Sequence, residues 1–181
     1  MGLWGEEKPI NHAIVLGSGI GLERAGHLGG SLLMYFGALY IFGWRGDTLG
    51  TLALAAVAAL VAAGMCVKQD VDNALWGIFH RTWVTHSLTA VFVATGATYI
   101  LFEDILGAGQ LSVYVSLAVL SATLSHVLLD SLTKGGVPLL GPFDDRKWGL
   151  RWFKGNNIIV NYAFLAVGIA MAAVYFGLIK L

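Results

Sequence analysis

"LSVYVSLAVLSATLSHVLLD" occupies Leu111–Asp130. From Leu111 to Leu129 it holds no lysine, arginine, aspartate or glutamate. A helix of about 20 mostly apolar residues crosses the hydrocarbon layer of a bilayer, so this stretch reads as a membrane helix. It nevertheless carries His126 and Asp130 near its end, four residues apart. Positions i and i+4 project from one helical face. Ionisable groups at such a place are costly and point to function by default.

The composition extends that reading to the whole chain. Of 181 residues 57% are hydrophobic and only 12% charged, against roughly 25% charged in soluble domains. The mean hydropathy is +0.73. The formal net charge is zero, so no global field draws the chain to nucleic acid. Cys66 is the single cysteine, which excludes an internal disulfide. The length suits one membrane domain, residues 1–181. Met1 to Ile10 is polar and lacks the basic-then-apolar order of a cleavable signal.

Four further uncharged stretches stand beside the first: Leu28–Trp44, Leu49–Val67, Ser87–Phe102 and Ile158–Ile179. The expected architecture is thus an all-α polytopic membrane bundle of about five transmembrane helices. A short re-entrant or interfacial segment, Ile10–Leu22, precedes them. Gly17 to Gly21 does not read as a phosphate loop, because no strand pattern leads into it. The glycines 29, 30 and 37 and the alanines from 53 to 63 permit close helix packing, although ordinary membrane-helix composition accounts for them. With the amino end inside, the inner segments hold Lys8, Arg24, Lys68, Arg81, Lys134, Arg146, Lys147, Arg151 and Lys154, nine of the eleven bases. That bias orients the chain with its amino end in the cytoplasm and its carboxyl end outside.

The orientation rests on lysine and arginine alone, so the other polar residues test it. Asp70, Asp72, His80 and His86 fall between the second and third spans, on the inside. His126 and Asp130 sit at the inner end of the fourth, and His27 at the inner start of the first. Histidines and carboxylates gathered in one layer suit a divalent transition metal, zinc first and manganese or iron next, over the all-oxygen shells of calcium and magnesium. His12 has no partner in sequence and reads as structural. Asp70 alone would be a cap or a surface charge, and Thr85 and Ser87 would cap the third helix. Arg81 is a surface anchor or a clamp for phosphate. The bases from Lys134 to Lys154 read first as membrane anchoring and second as contacts to lipid head groups. Trp148, Trp152 and Phe153 among them suit an interfacial helix.

At these residues the chain resembles the YdjM-like family of membrane-bound metal-dependent hydrolases. The motifs are His27 in "GHLGG", Asp70 and Asp72 in "QDVDN", and "HRTWVTHSL" with His80, Arg81 and His86. "SHVLLD" with His126 and Asp130 follows, and "TKGGVPLLGPF" closes the pattern. The resemblance runs from about Ala25 to Trp152; Gln69 and Asn73 replace the proline and histidine usual around the paired aspartates. It implies a metal site of one to three ions held by His27, Asp70, Asp72, His86, His126 and Asp130. It further implies that Asp72 holds metal or orients the attacking water, and that His80 and Arg81 steady a phosphoryl group. A more distant similarity to zinc-dependent phospholipase C and P1-type nucleases suggests a lipid or lipid-linked phosphoester as substrate. Two other classes compete: a non-catalytic membrane protein with a structural metal, and a metal or ion transporter. Clean spans apart from one polar layer count against transport.

Overall fold

The structure is a computed structural model and describes residues 22–44, 46, 48–68 and 82–180. Among these residues it is all-helical, with two isolated β-bridges and no sheet. The elements are α1 (Leu22–Ile41), α2 (Leu49–Lys68), a single turn α3 (Trp83–His86), α4 (Leu88–Ile100), α5 (Gln110–Leu132) and α6 (Ile158–Tyr175). A π-helical turn, Leu101–Ile105, extends α4. The segment Ile10–Leu22 lies outside the described residues except for Leu22, which opens α1.

Among the described residues three helical stretches are long and apolar enough to cross a membrane: Leu88–Ile105, Gln110–Leu132 and Ile158–Tyr175. This is fewer than the five read from uncharged runs. For α1 the reason is charge. α1 begins at Leu22 rather than Leu28 and so takes Glu23, Arg24 and His27 into its first turns. α2 runs over twenty residues, Leu49–Lys68, of which Leu49–Met65 is a described apolar stretch.

α5 is the axis of the bundle. Two thirds of its membrane-length window is buried (67%), against 6% for Leu88–Ile105 and 11% for α6. α1, α2 and α4 all pack on it. Being shielded from lipid, it tolerates polar residues along its length, and Ser112, Ser116, Ser121, Thr123 and Ser125 are all buried. Thr123 and Ser125 return their hydroxyl protons to Val119 and Ala122 carbonyls one turn back, the usual way to satisfy such groups inside a helix. The outer helices do the reverse. Phe92, Val93 and Ile100 on α4 and Ile159, Val167 and Ile169 on α6 are exposed, as a lipid-facing surface requires. The core proper joins Tyr35, Phe36 and Leu39 of α1 to Ala55, Ala58 and Ala62 of α2 and Tyr114, Val115, Ala118 and Ala122 of α5.

α1 packs most extensively on α6, and the two run parallel. A Cβ on Gly29 would collide with the backbone of Phe164 and Leu165, and one on Gly168 with the backbone of Gly29. Gly26 leaves its space to the side chain of Asn161. Gly29 is therefore a close-packing residue and not mere composition. Gly37, eight residues on, has nothing within 4 Å of where its Cβ would stand.

The contrast is testable by thermal melting in detergent. Gly29→Ala is expected to lower the melting temperature sharply or to abolish the monodisperse folded protein. Gly37→Ala should leave it unchanged or raise stability by up to about 1 kcal/mol, the helix preference of alanine over glycine.

Candidate metal centre

Four helix ends meet at one end of the bundle. α1, α4 and α6 begin there and α5 ends there. His27 sits in the early turns of α1, and His126 and Asp130 close to the end of α5. His86 ends the short turn α3. The turn is followed by Ser87 in extended conformation, which caps α4 by accepting the Ala90 N–H at 3.1 Å and donates to the Trp83 carbonyl. The Leu88 N–H bonds to the Leu139 carbonyl and fixes this turn against the α5–α6 connection. His86 thereby faces α5, against His126 and Asp130.

All four side chains are buried: His27 is 8% exposed, His86 2%, His126 0% and Asp130 5%. Their donor atoms converge. The Asp130 carboxylate lies 3.5 Å from His27 Nε2, 3.4 Å from His86 Nε2 and 3.7 Å from His126 Nε2. The Nε2 atoms of His86 and His126 are 3.1 Å apart. The rings of His27 and His126 stack with centroids 4.1 Å apart. His27, His126 and Asp130 each offer an atom within 4.8 Å of the others, and His86 joins them through its two short approaches.

These separations decide what the cluster suits. Zinc bonds to imidazole and carboxylate are about 2.0–2.2 Å, so neighbouring ligand atoms on a tetrahedron stand roughly 3.3–3.5 Å apart. The Asp130–imidazole spacings of 3.4 to 3.7 Å lie near that value and are long for direct hydrogen bonds, whereas the 3.1 Å between the His86 and His126 Nε2 atoms is also a hydrogen-bond distance. Three imidazole nitrogens and one carboxylate form a donor set suited to zinc, manganese or iron. His27, His126 and Asp130 can hold a divalent metal ion, and His86 stands beside them.

Supporting groups fix the rings. Thr85 Oγ1 lies 2.7 Å from His86 Nδ1 and 3.5 Å from the Thr82 carbonyl. With the hydroxyl donating to that carbonyl, Nδ1–H donates to Oγ1 and the Nε2 lone pair faces inward, the tautomer a ligand needs. Thr85 was read from the sequence as a cap; the capping falls to Ser87 alone. Asp130 is held at the close of α5, where its carbonyl accepts from the Thr133 N–H and hydroxyl at 3.0 and 2.8 Å. Beside it opens a cavity of about 20 Å³ lined by His27, Asp130, Thr133, Phe153, Gly155 and Asn161, room enough for a water molecule. Asn161 is buried and donates to the Gly155 carbonyl at 2.8 Å. Its presence was not anticipated; an asparagine in so apolar a helix is the signal that would have found it. Asp70, Asp72, His80 and Arg81 lie outside the described residues.

The fold and the cluster define a helical membrane protein with a buried site of metal-ligating side chains at one end of its bundle. Residues 23–180 match the model of the YdjM inner membrane protein family, and the chain belongs to that family. No curated protein and no solved structure matches it.

Two changes separate ligand from support. His126→Ala is expected to abolish stoichiometric binding of zinc, followed by calorimetry on metal-stripped protein. Thr85→Val should weaken it by about 10–100-fold, the usual cost of losing an orienting partner, while Thr85→Ser keeps near-native affinity.

Proposed function

We propose that this protein is a membrane-bound metal-dependent hydrolase acting on a phosphoester of a lipid or lipid-linked substrate. The observation that carries the reading is the gathering of three imidazoles about one buried carboxylate, each Nε2 within 3.7 Å of it, inside a membrane bundle. A bound transition metal supplies Lewis acidity and brings a water molecule toward ionisation at neutral pH. His27, His86, His126 and Asp130 would hold it, with Thr85 keeping the His86 ring in register. The cavity beside Asp130 admits water on the α6 side, where the Asn161 amide and the Thr133 hydroxyl offer polar surface. The surrounding helices keep bulk water and acyl chains away.

The family motifs extend this set. Asp70 and Asp72 would add ligands for up to three ions, or Asp72 would orient the attacking water. His80 and Arg81 would steady the charge growing on a phosphoryl group. The lysine and arginine bias would put the site at the cytoplasmic surface. A bilayer-embedded substrate would account for a site placed where helices end.

One observation favours a second reading. All four described ligands are nearly sealed, and a closed, fully protein-ligated site is typical of a structural metal. Gentle purification in detergent, metal analysis and a phosphate-release assay over a lipid panel separate the two. The hydrolase reading expects at least one bound transition metal per chain and release that falls by more than 100-fold in His126→Ala and Asp130→Ala, beyond what an orienting residue costs. Protein without transition metal removes the basis of the reading. Metal retained with no release from any lipid transfers the site to a structural role.

A further inference from the structure

The connection between α5 and α6 is held firmly by its backbone. The Leu150 N–H bonds to the Ser131 carbonyl at 2.8 Å and the Trp152 N–H to the Leu132 carbonyl at 3.0 Å. These carbonyls belong to the last turn of α5 and have no partner within the helix. Lys134 donates to the Phe153 carbonyl, and Val137 and Trp148 exchange two hydrogen bonds at 2.9 and 2.8 Å. The aromatic-rich stretch is therefore an ordered non-helical strap, not the interfacial helix its composition suggested.

Its side chains face the other way. Phe143 is 90% exposed and Trp152 70%, with Trp148 and Leu150 also exposed. Arg146, Lys147, Arg151 and Lys154 stand exposed among them. Large apolar side chains crowded on an exposed surface mark an interaction site. Here the site has a place. α5 and α6 are both of membrane-crossing length, so the strap that joins the end of one to the start of the other lies at a bilayer surface. Aromatic rings mixed with bases are what that layer favours.

A second, independent observation singles out Arg151. Its φ is +56°, the one positive value at a non-glycine residue among the described residues. L-residues rarely adopt this region and glycine enters it freely. The turn lies between the two N–H groups, of Leu150 and Trp152, that bond to α5. An arginine there is not needed for the turn. Backbone strain at a position where glycine would serve points to a use for the side chain.

We propose that residues 143–154 form a docking surface for the phosphate-bearing head group of an anionic membrane lipid, with the Arg151 guanidinium at its centre. Four bases oppose two acids, Asp144 and Asp145, so the strap is positive where the lipid is negative. Asp144 is engaged locally, accepting the Arg146 N–H at 2.9 Å. A guanidinium binds phosphate through paired, fixed donors. Phe153, two residues from Arg151, lines the cavity next to His27 and Asp130. The proposal concerns binding and does not depend on hydrolysis.

Full-length protein in a neutral detergent is titrated with phosphatidylglycerol or phosphatidylcholine, and bound lipid is counted by native mass spectrometry. Wild type is expected to favour phosphatidylglycerol by at least about fivefold, the effect of a single base near an anionic surface. Arg151→Gly should lose about fivefold in that preference with an unchanged or higher melting temperature, and Arg151→Lys should keep part of it. Arg146→Gln with Lys147→Gln, at exposed positions that leave the backbone alone, should also reduce it. Equal binding of the two lipids by wild type overturns the proposal, as does an undiminished preference in Arg151→Gly. A lower melting temperature for Arg151→Gly overturns the role given to Arg151. Displacement of phosphatidylglycerol by millimolar inorganic phosphate overturns the assignment to lipid in favour of a soluble anion.

Discussion

The rest of the structure depends on one carboxylate. Asp130 is placed near the end of the most buried helix in the bundle, with the Nε2 atoms of three histidines 3.4 to 3.7 Å from it. Removing a carboxylate from water costs on the order of several kcal/mol even after the protein relaxes. That cost is tolerable only where opposite charge or strong donors close in from several sides. Here they come from α1, from the turn before α4 and from α5 itself. Bringing them together requires α1 and α4 to begin where α5 ends. A cation among the four groups would offset the burial, and the spacing of the donor atoms leaves room for one.

Packing keeps that arrangement in register. Gly29 lets the α1 backbone touch that of α6, and Gly26 makes way for Asn161. The early turns of α1 and α6 thus come to one level, with His27 and Asn161 lining the same cavity. The strap from Thr133 to Asn157 then closes the end of the bundle. It satisfies the carbonyls of α5, holds the turn that carries His86 through Leu139, and supplies Phe153 and Gly155 to the cavity wall. Site, cap and basic surface are consequences of one set of helix ends meeting.

The sequence shows parts of this and hides others for physical reasons. His126 and Asp130 are legible because helical periodicity converts a spacing of four into a shared face. His27 and His86 are legible only through sorting, since each lies at the same end of its span. The partner of Thr85 is not legible, because the hydroxyl meets His86 only in the particular turn that Trp83–His86 adopts. Gly29 and Gly37 look alike in sequence, and only the line along which α1 meets α6 distinguishes them. The five uncharged runs outnumber the three candidate spans among the described residues, and α1 drops out because it starts six residues early and gathers charge as it does so. The strap resembles an amphipathic helix in composition, yet Gly136, Gly149 and the turn at Arg151 allow it to fold back on α5. The positive φ of Arg151 leaves no trace in the residue type. Asp70, Asp72, His80 and Arg81 are named by motif alone, so the fuller ligand set rests on the pattern of the chain.

The central claim is that His27, His86, His126 and Asp130 surround a single ion. X-ray absorption on zinc-loaded protein tests it most directly. The account predicts nitrogen and oxygen neighbours at about 2.0–2.2 Å, with multiple scattering from at least three imidazoles and no sulfur. It further predicts the loss of one imidazole in His86→Ala. A zinc shell with a sulfur neighbour from Cys66, or one whose imidazole count is the same in His86→Ala, would contradict it.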